Sequence, residues 1–424
     1  MPIPMYEKSV LNNGLRVLTV PMPQVRSVTV AIFLGAGSRY ETLEEAGLSH
    51  FLEHMLFKGT KRRPEPQMIS EAVEGLGGYM NASTDREITI YWAKAAQDHM
   101  DTIMDLLSDM VLHSSLTPHE LEREKKIIIE EINSINDSPQ QRVDLLIDEV
   151  MWPEQPLGRD TAGTPESVTA LTRGSMVGYL ASQYAPNNAV VAVSGNVDAE
   201  EVVRSVQRYF GKWRPSTPRA WFPSVNGKRH PRVGLRTQKT EQAHVCISYP
   251  GLSSLHPDRY ALDVLNVVLG EGMSSRLFVE IREKRGLAYE VHSYVSHFLD
   301  DGALTVYAGV DPKSIDSAIE GVLGEVLRMC DTIPAAELRK AKEMTKGRLL
   351  LRTEDTRSMA SWVGAQELLQ GQVKSVDEIV EIVEAMNAET LQRVASQILV
   401  PAKAKIAVVG PYKGKTRFQK LIEA

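Results

Sequence analysis

Apolar positions switch between two periods along the chain, and the switches mark out its elements. Over 6–20, short alternating runs flank Asn13-Gly14, a turn dipeptide between two strands. Residues 27–34, Ser-Val-Thr-Val-Ala-Ile-Phe-Leu, predict a third strand, broken by Gly35-Ala36-Gly37-Ser38. The period then lengthens to that of a helix. Thr42-Leu43-Glu44-Glu45 fits a capping box ahead of a helix that carries His50, Glu53 and His54 and ends near Gly59. A second amphipathic stretch, 68–76, stops at Gly77-Gly78. Residues 79–91 predict strands on both sides of a polar centre, because β-branched and aromatic side chains favour a pleated, half-buried surface. Helices follow at 97–113 and 118–136, a loop at 156–164, a helix at 171–184, a buried strand at 189–195 and a helix at 198–210.

Residues 211–232 are rich in Pro, Trp, Arg and Lys and show no period. They predict a linker, 213–232, between domains at 1–212 and 233–424. The second half then repeats the order of the first. A strand at 243–249 precedes helices at 257–270 and 274–284 and strands within 288–309. Helices at 312–330, 335–352, 376–384 and 388–399 and a closing strand complete it. Ala181-Ser182-Gln183, then Pro186 and 190–195, is echoed by Ala395-Ser396-Gln397, then Pro401 and 405–410. The expected fold is α+β: two homologous domains, each a mostly antiparallel sheet packed with helices.

A chain of 424 residues exceeds one ordinary core, which agrees with two domains. With 43% hydrophobic and 24% charged residues it has a globular composition, and a net charge of −6 gives no footprint for nucleic acid. Cys246 and Cys330 are far apart and form no C-x-x-C, which predicts core thiols in a reducing compartment. No apolar run is long enough to span a bilayer, and no signal or transit pattern opens the chain. The expectation is a cytoplasmic protein without a membrane or nucleic-acid partner.

The chemistry concentrates in Gly47-Leu48-Ser49-His50-Phe51-Leu52-Glu53-His54-Met55-Leu56-Phe57. Helical positions i and i+4 share a face, so His50 and His54 can aim at one metal ion. Glu53 lies close enough in angle to reach a water held by that metal, the H-x-x-E-H pattern. Two surface histidines are the simpler alternative, but the flanking Leu48, Phe51, Leu52, Met55 and Leu56 predict a half-buried site. A hydrolytic zinc wants a third protein ligand and an open position. The best candidate is Glu131, in Glu122-Arg123-Glu124-Lys125-Lys126-Ile127-Ile128-Ile129-Glu130-Glu131. Glu124 and Glu131 are seven apart, on one face two turns apart, with Ile127 and Ile128 between them. Glu124 could then orient a ligand or the water from behind. The matching helix of the second half, around Asp263, Asn266 and Val267, lacks the ligand types, so one zinc per chain is expected.

Those segments, with Asn81-Ala82, Pro156-Leu157-Gly158-Arg159 and 274–289, make the chain resemble the pitrilysin-type zinc peptidases, the inverzincins, and within them the branch that includes the mitochondrial processing peptidase. The resemblance places the third ligand at Glu131, with Glu130 as fallback, and gives Glu124 a supporting role in catalysis. It implies that Asn81 and Ala82 lie on a strand to which peptide substrate adds as a further strand. It also implies that Arg282 and Tyr289 donate hydrogen bonds to the substrate carbonyl or its oxyanion. Unlike the processing peptidase, this chain carries both the metal motif and the Arg/Tyr pair, and 269–276 is not glycine-rich. That combination implies a clamshell homodimer whose sites are completed in trans.

The function implied is a zinc metalloendopeptidase acting on peptides or unfolded segments in a closed chamber, with Glu53 as general base. Two other readings are a non-catalytic subunit of a larger assembly and the catalytic half of a heterodimeric processing peptidase.

Overall fold

In the computed structural model, which describes residues 5–225 and 231–423, the strands form two sheets. The first holds β1 (Glu7–Val10), β2 (Arg16–Pro21), β3 (Ser27–Leu34), β4 (Tyr79–Thr84), β5 (Thr89–Ala96) and β6 (Ala189–Gly195), in the order β1-β2-β6-β3-β5-β4. The second holds β7 (Val233–Thr237), β8 (Ala243–Pro250), β9 (Ala288–His297), β10 (Gly302–Val310) and β11 (Lys405–Gly410), in the order β7-β11-β8-β10-β9. Without the edge strand β1, the two orders coincide strand for strand. The parallel pairs also correspond, β2 with β6 and β7 with β11, and the other pairings are antiparallel. The echo between 190–195 and 405–410 thus falls on equivalent strands, and the α+β expectation of two similar sheets holds.

The chain divides into two compact units. Unit 1 comprises Met1–Ile132, Asp160–Phe222 and Leu350–Ser375; unit 2 comprises Asn133–Arg159, Pro223–Leu349 and Val376–Ala424. Of the linker expected at 213–232, residues 226–230 lie outside the described residues. Its earlier part is held to unit 1: Trp221 stacks on the buried Arg39, with the guanidinium 4.3 Å from the ring centroid, and Arg39 Nε donates to Phe222 O at 3.0 Å.

In unit 1, β3 and β6 are buried almost throughout because both sheet faces are covered, so they read as unbroken apolar runs rather than alternating ones. On one face Val28, Val30 and Ile32 pack with α1 (Leu48–Leu56), α2 (Pro66–Glu74) and α3 (Met100–His113). On the other, Ala31 and Phe33 pack with Met359, Ala360 and Val363 of the helix Thr356–Gln370. In unit 2 the corresponding cover is α5 (Pro139–Met151), which follows α4 (Pro118–Asp137) and places Val143, Ile147 and Met151 against Cys246, Ala407 and Val409. The segments 139–151 and 356–370 have no element in the sequence reading. Both are capped helices, with Ser138 accepting from Gln141 N and Asp355 from Ser358 N.

The structure corrects the start of α1. Thr42 is not its cap; Thr42 and Glu45 instead close a local turn, with Thr42 N donating to Glu45 Oε2 at 3.2 Å. The helix begins at Leu48, after Gly47 at φ 92°, where a Cβ would run into Ala162 O. The buried Glu41 carboxylate takes the free amides, accepting from Gly47 N at 2.9 Å and Ser49 N at 2.6 Å. A negative group at a helix N-terminus is favoured by both hydrogen bonding and the macrodipole.

Candidate metal centre

α1 presents His50 and His54 on one face, with ring centroids 4.7 Å apart and planes at 72°. Its other face buries Phe51, Leu52, Met55 and Leu56 in the core, which fixes the helix rotation. The first turn is held by Ser49, whose hydroxyl lies 2.8 Å from that of the buried Tyr179. The far end is held by Gly59-Thr60 and the arginines after it. Thr60 Oγ1 and Arg63 Nη1 donate to Asp109 Oδ2 at 2.7 and 2.6 Å, and Arg62 and Arg63 reach Asp105 at 2.6–2.7 Å.

α4 brings in the carboxylates. Glu131 Oε2 lies 3.8 Å from His50 Nε2 and 3.6 Å from His54 Nε2. One ligand atom from each of the three residues falls within 4.8 Å of the others. Glu130 is exposed and lies outside this group. Glu124 is wholly buried, and its Oε2 lies 3.2 Å from His54 Nδ1 while Lys58 Nζ stands 2.8 Å from Oε1. Burial pushes the Glu124 carboxyl up, but the bonds from His54 and Lys58 outweigh it and hold the group below the usual carboxylate range. One detail of the α4 reading is corrected. Ile128 is buried, but Ile127 is 42% exposed, so the apolar stripe between the two glutamates is narrower than their spacing implies.

The donor set fits a catalytic zinc: two imidazoles and one carboxylate, with no fourth protein ligand in the group among the described residues. His50 is in the form that binds metal. Burial, and then the neighbouring His54, lower His50 to about 4, so its ring is neutral at pH 7. Glu124 on His54 Nδ1 leaves Nε2 free for a metal, the usual carboxylate–histidine arrangement. Among the described residues His50 Nδ1 has no such partner; it is buried without a hydrogen bond.

Glu53 lies beside this group. Burial raises its carboxyl above the usual range, against the opposing bond from Thr84 and the charge of His54. Thr84 Oγ1 donates to Glu53 Oε2 at 2.5 Å. Thr84 ends β4, an edge strand paired on one side only, with β5. Asn81 is exposed on that strand, and its Oδ1 accepts from Ala82 N at 2.8 Å. Arg282 and Tyr289 belong to unit 2. Arg282 lies in the last turn of a wide π-type helix, Phe278–Lys284, and its guanidinium lies 4.7 Å from the Phe278 ring centroid and 5.0 Å from that of Tyr289.

The sequence reading missed Thr84 and Lys58. Strand parity puts Thr84 on the same side as Ala82, the face that meets α1, and that was the available signal. Lys58 is four residues beyond His54, just past the end of α1, and faces the carboxylate that His54 faces.

Two family profiles match the chain. One described as insulinase, peptidase family M16, covers residues 16–165, and one described as the peptidase M16 inactive domain covers residues 170–345. The chain is 36% identical over 410 residues to the uncharacterized zinc protease YmxG of Bacillus subtilis, covering 96% of this chain and 98% of that one. It is 37% identical over 417 residues to an uncharacterized zinc protease of Streptomyces coelicolor, covering 96% and 90%. In fold it is similar to a protease from Helicobacter pylori, with a TM-score of 0.89 at 23% identity over 96% of this chain and 100% of that one. It is also similar to a chain in the structure of Complex III2 from Candida albicans with Inz-5 bound, with a TM-score of 0.83 at 21% identity over 98% and 99%.

Proposed function

The chain belongs to peptidase family M16, and from that premise we propose that it is a zinc-dependent endopeptidase cleaving peptides or unfolded segments, of the type the mitochondrial processing peptidase represents. The observation that carries the reading is the convergence of His50 Nε2, His54 Nε2 and Glu131 Oε2, with the Glu53 carboxylate alongside. His50, His54 and Glu131 would hold one zinc. When bound, zinc lowers the pKa of a water towards neutrality and polarises the scissile carbonyl.

The chain's own residues supply the rest. Glu53 accepts the proton of the attacking water and returns it to the leaving amine, a role suited to a carboxyl raised by burial. Glu124 accepts from His54 Nδ1 and keeps the ring in the tautomer that leaves Nε2 free. The open edge of β4 offers main-chain groups to an extended peptide, with Asn81 and Ala82 at the contact. Arg282 and Tyr289 donate to the substrate carbonyl as negative charge develops on its oxygen. In this reading two copies pair in a closed homodimer, and each receives Arg282 and Tyr289 from the other.

A second reading, a structural subunit, has one observation in its favour: the fold is shared with a chain of a Complex III2 structure. Elemental zinc analysis and a peptide-library cleavage assay on the purified chain separate the two. The peptidase reading expects about one zinc per chain and cleavage, with Glu53→Gln keeping the zinc and losing the cleavage. A chain that purifies without zinc and cannot be loaded overturns it.

A further inference from the structure

The hydroxyl of Thr84 is the only hydrogen-bond partner of Glu53 among the described residues, and it stands 2.5 Å from Oε2. We propose that Thr84 is a positioning residue: it ties down Glu53 Oε2 so that Oε1 alone is turned to the water to be deprotonated. The proposal rests on the reading of Glu53 as general base.

A glutamate side chain has three rotatable bonds, so an unheld carboxylate samples several rotamers. No cation pairs with it among the described ion pairs, so the Thr84 hydroxyl is the one polar group among the described residues that fixes its carboxylate. A bond from a hydroxyl to a charged carboxylate is strong enough to do so, and it consumes one oxygen while leaving the other.

The donor is itself held rigidly. Thr84 pairs with Thr89 at the closed end of the β4–β5 hairpin, where Asp85 N donates to Ile88 O at 2.9 Å. The turn between them is pinned from outside. Asp85 O and Arg86 O accept from Ser38 N at 3.4 Å and Arg39 N at 2.8 Å. Gly37 lies so close beneath that a Cβ would run into Asp85 O. The buried Arg39 pairs with the buried Glu87 of the same turn. A catalytic group needs such a supporting shell, because small displacements of the first contact are costly in rate.

β4 is also the proposed substrate strand, so Thr84 couples the edge that would bind the peptide to the carboxylate that would act on it. A residue that only tied α1 to β4 would affect folding and zinc retention. A positioning residue affects turnover with both intact.

The test uses the full zinc-loaded chain. Thr84→Val, which keeps the shape and removes the donor, is expected to lower kcat about 10- to 100-fold, the range for losing a hydrogen bond to a charged group. KM and zinc content stay within about threefold. Thr84→Ser, which keeps the hydroxyl, recovers most of kcat. Independently of activity, methyl NMR of the metal-free chain labelled at threonine follows the Thr84 resonance, assigned by its loss in Thr84→Ser. That resonance is expected to move in Glu53→Gln. Wild-type kcat in Thr84→Val, a rise in KM alone, or a resonance indifferent to Glu53→Gln overturns the proposal. A wild-type chain that holds zinc and cleaves no peptide overturns the peptidase reading and this role with it. It is told apart from those cases because the wild type itself is then inactive.

Discussion

His54 Nδ1 lies 3.2 Å from Glu124 Oε2, and the other oxygen of that buried carboxylate lies 2.8 Å from Lys58 Nζ. One carboxylate thus orients the His54 imidazole and is itself oriented by a lysine just beyond the C-terminal end of α1. Glu124→Ala is expected to weaken zinc binding about 10- to 100-fold, the usual cost of removing such an outer partner. Lys58→Met should act in the same direction and more weakly, since it leaves the His54 contact in place. Competition against a chelator of known affinity measures both.

Glu131 and Glu130 are adjacent on α4, yet only Glu131 meets the histidines. Glu131→Gln is expected to reduce zinc affinity by at least about 100-fold, because a neutral amide replaces an anionic ligand. Glu130→Gln should leave it within about twofold. Zinc content after gel filtration at limiting metal distinguishes the two. Equal loss in both variants would remove Glu131 from the ligand set.

Much of this centre was legible because its parts are local. The spacing of His50 and His54 fixes them on one helical face whatever the rest of the chain does; the same period puts Glu124 and Glu131 on one face of α4, while their pairing with the histidines is legible only through the family resemblance. Periodicity says which residues share a face and not how far the core extends over it, so the stripe between those glutamates is narrower than their spacing implies, and Ile127 falls just outside. The cap of α1 is not legible at Thr42 because Glu41 reaches the helix amides from beyond a turn, which no local motif encodes. Helix periodicity also cannot say which sheet a helix will cover. Nothing in 139–151 or 356–370 shows that the first packs in unit 2 and the second in unit 1.

The Asp105 cluster links the end of α1 to α3 and gives a pH dependence of stability. Burial pushes the Asp105 carboxyl up, but bonds from Arg62 and Arg63 outweigh it and hold it below its ordinary 3.8. A depressed carboxylate contributes stability above its unfolded value, and that contribution is lost as pH falls through the folded one. Asp105→Asn is therefore expected to cost about 1–2 kcal/mol at pH 7. The difference from wild type should shrink steadily below about pH 4 and vanish once both states are protonated. Urea unfolding from pH 7 down to pH 3 checks the sign. A difference that grows on acidification would show that the cluster is not held by the charged carboxylate.

Gly364 of the helix Thr356–Gln370 faces Phe33 of β3, and a Cβ there would run into the buried Phe33 ring. Gly364→Ala would stabilise an isolated helix, since alanine has the higher propensity. Here it should destabilise unit 1 by about 1–3 kcal/mol, the cost of overpacking a close-packed interior. The sign of the shift in unfolding midpoint decides between these two effects. Phe33→Leu in the same chain should recover part of the loss by making room.

Arg282 offers the sharpest test of the homodimer. Its nearest carboxylate among the described ion pairs is Glu283, at 3.8 Å, and its guanidinium otherwise lies near the rings of Phe278 and Tyr289. A charge so weakly paired is free to serve a substrate carbonyl. If it serves the zinc site of a second copy, Glu53→Gln and Arg282→Ala chains are each inactive as pure homodimers. Their mixed dimer, however, contains one site with an intact Glu53 and an intact partner Arg282. Random exchange at equal concentrations places half of the chains in mixed dimers, each with one working site in two, so activity should return to about one quarter of wild type. Fluorescence transfer between differently labelled chains establishes that exchange has occurred. No recovery after demonstrated exchange would place Arg282 within its own subunit's chemistry or outside it altogether. Recovery would require that the residues of one copy complete the metal centre of the other.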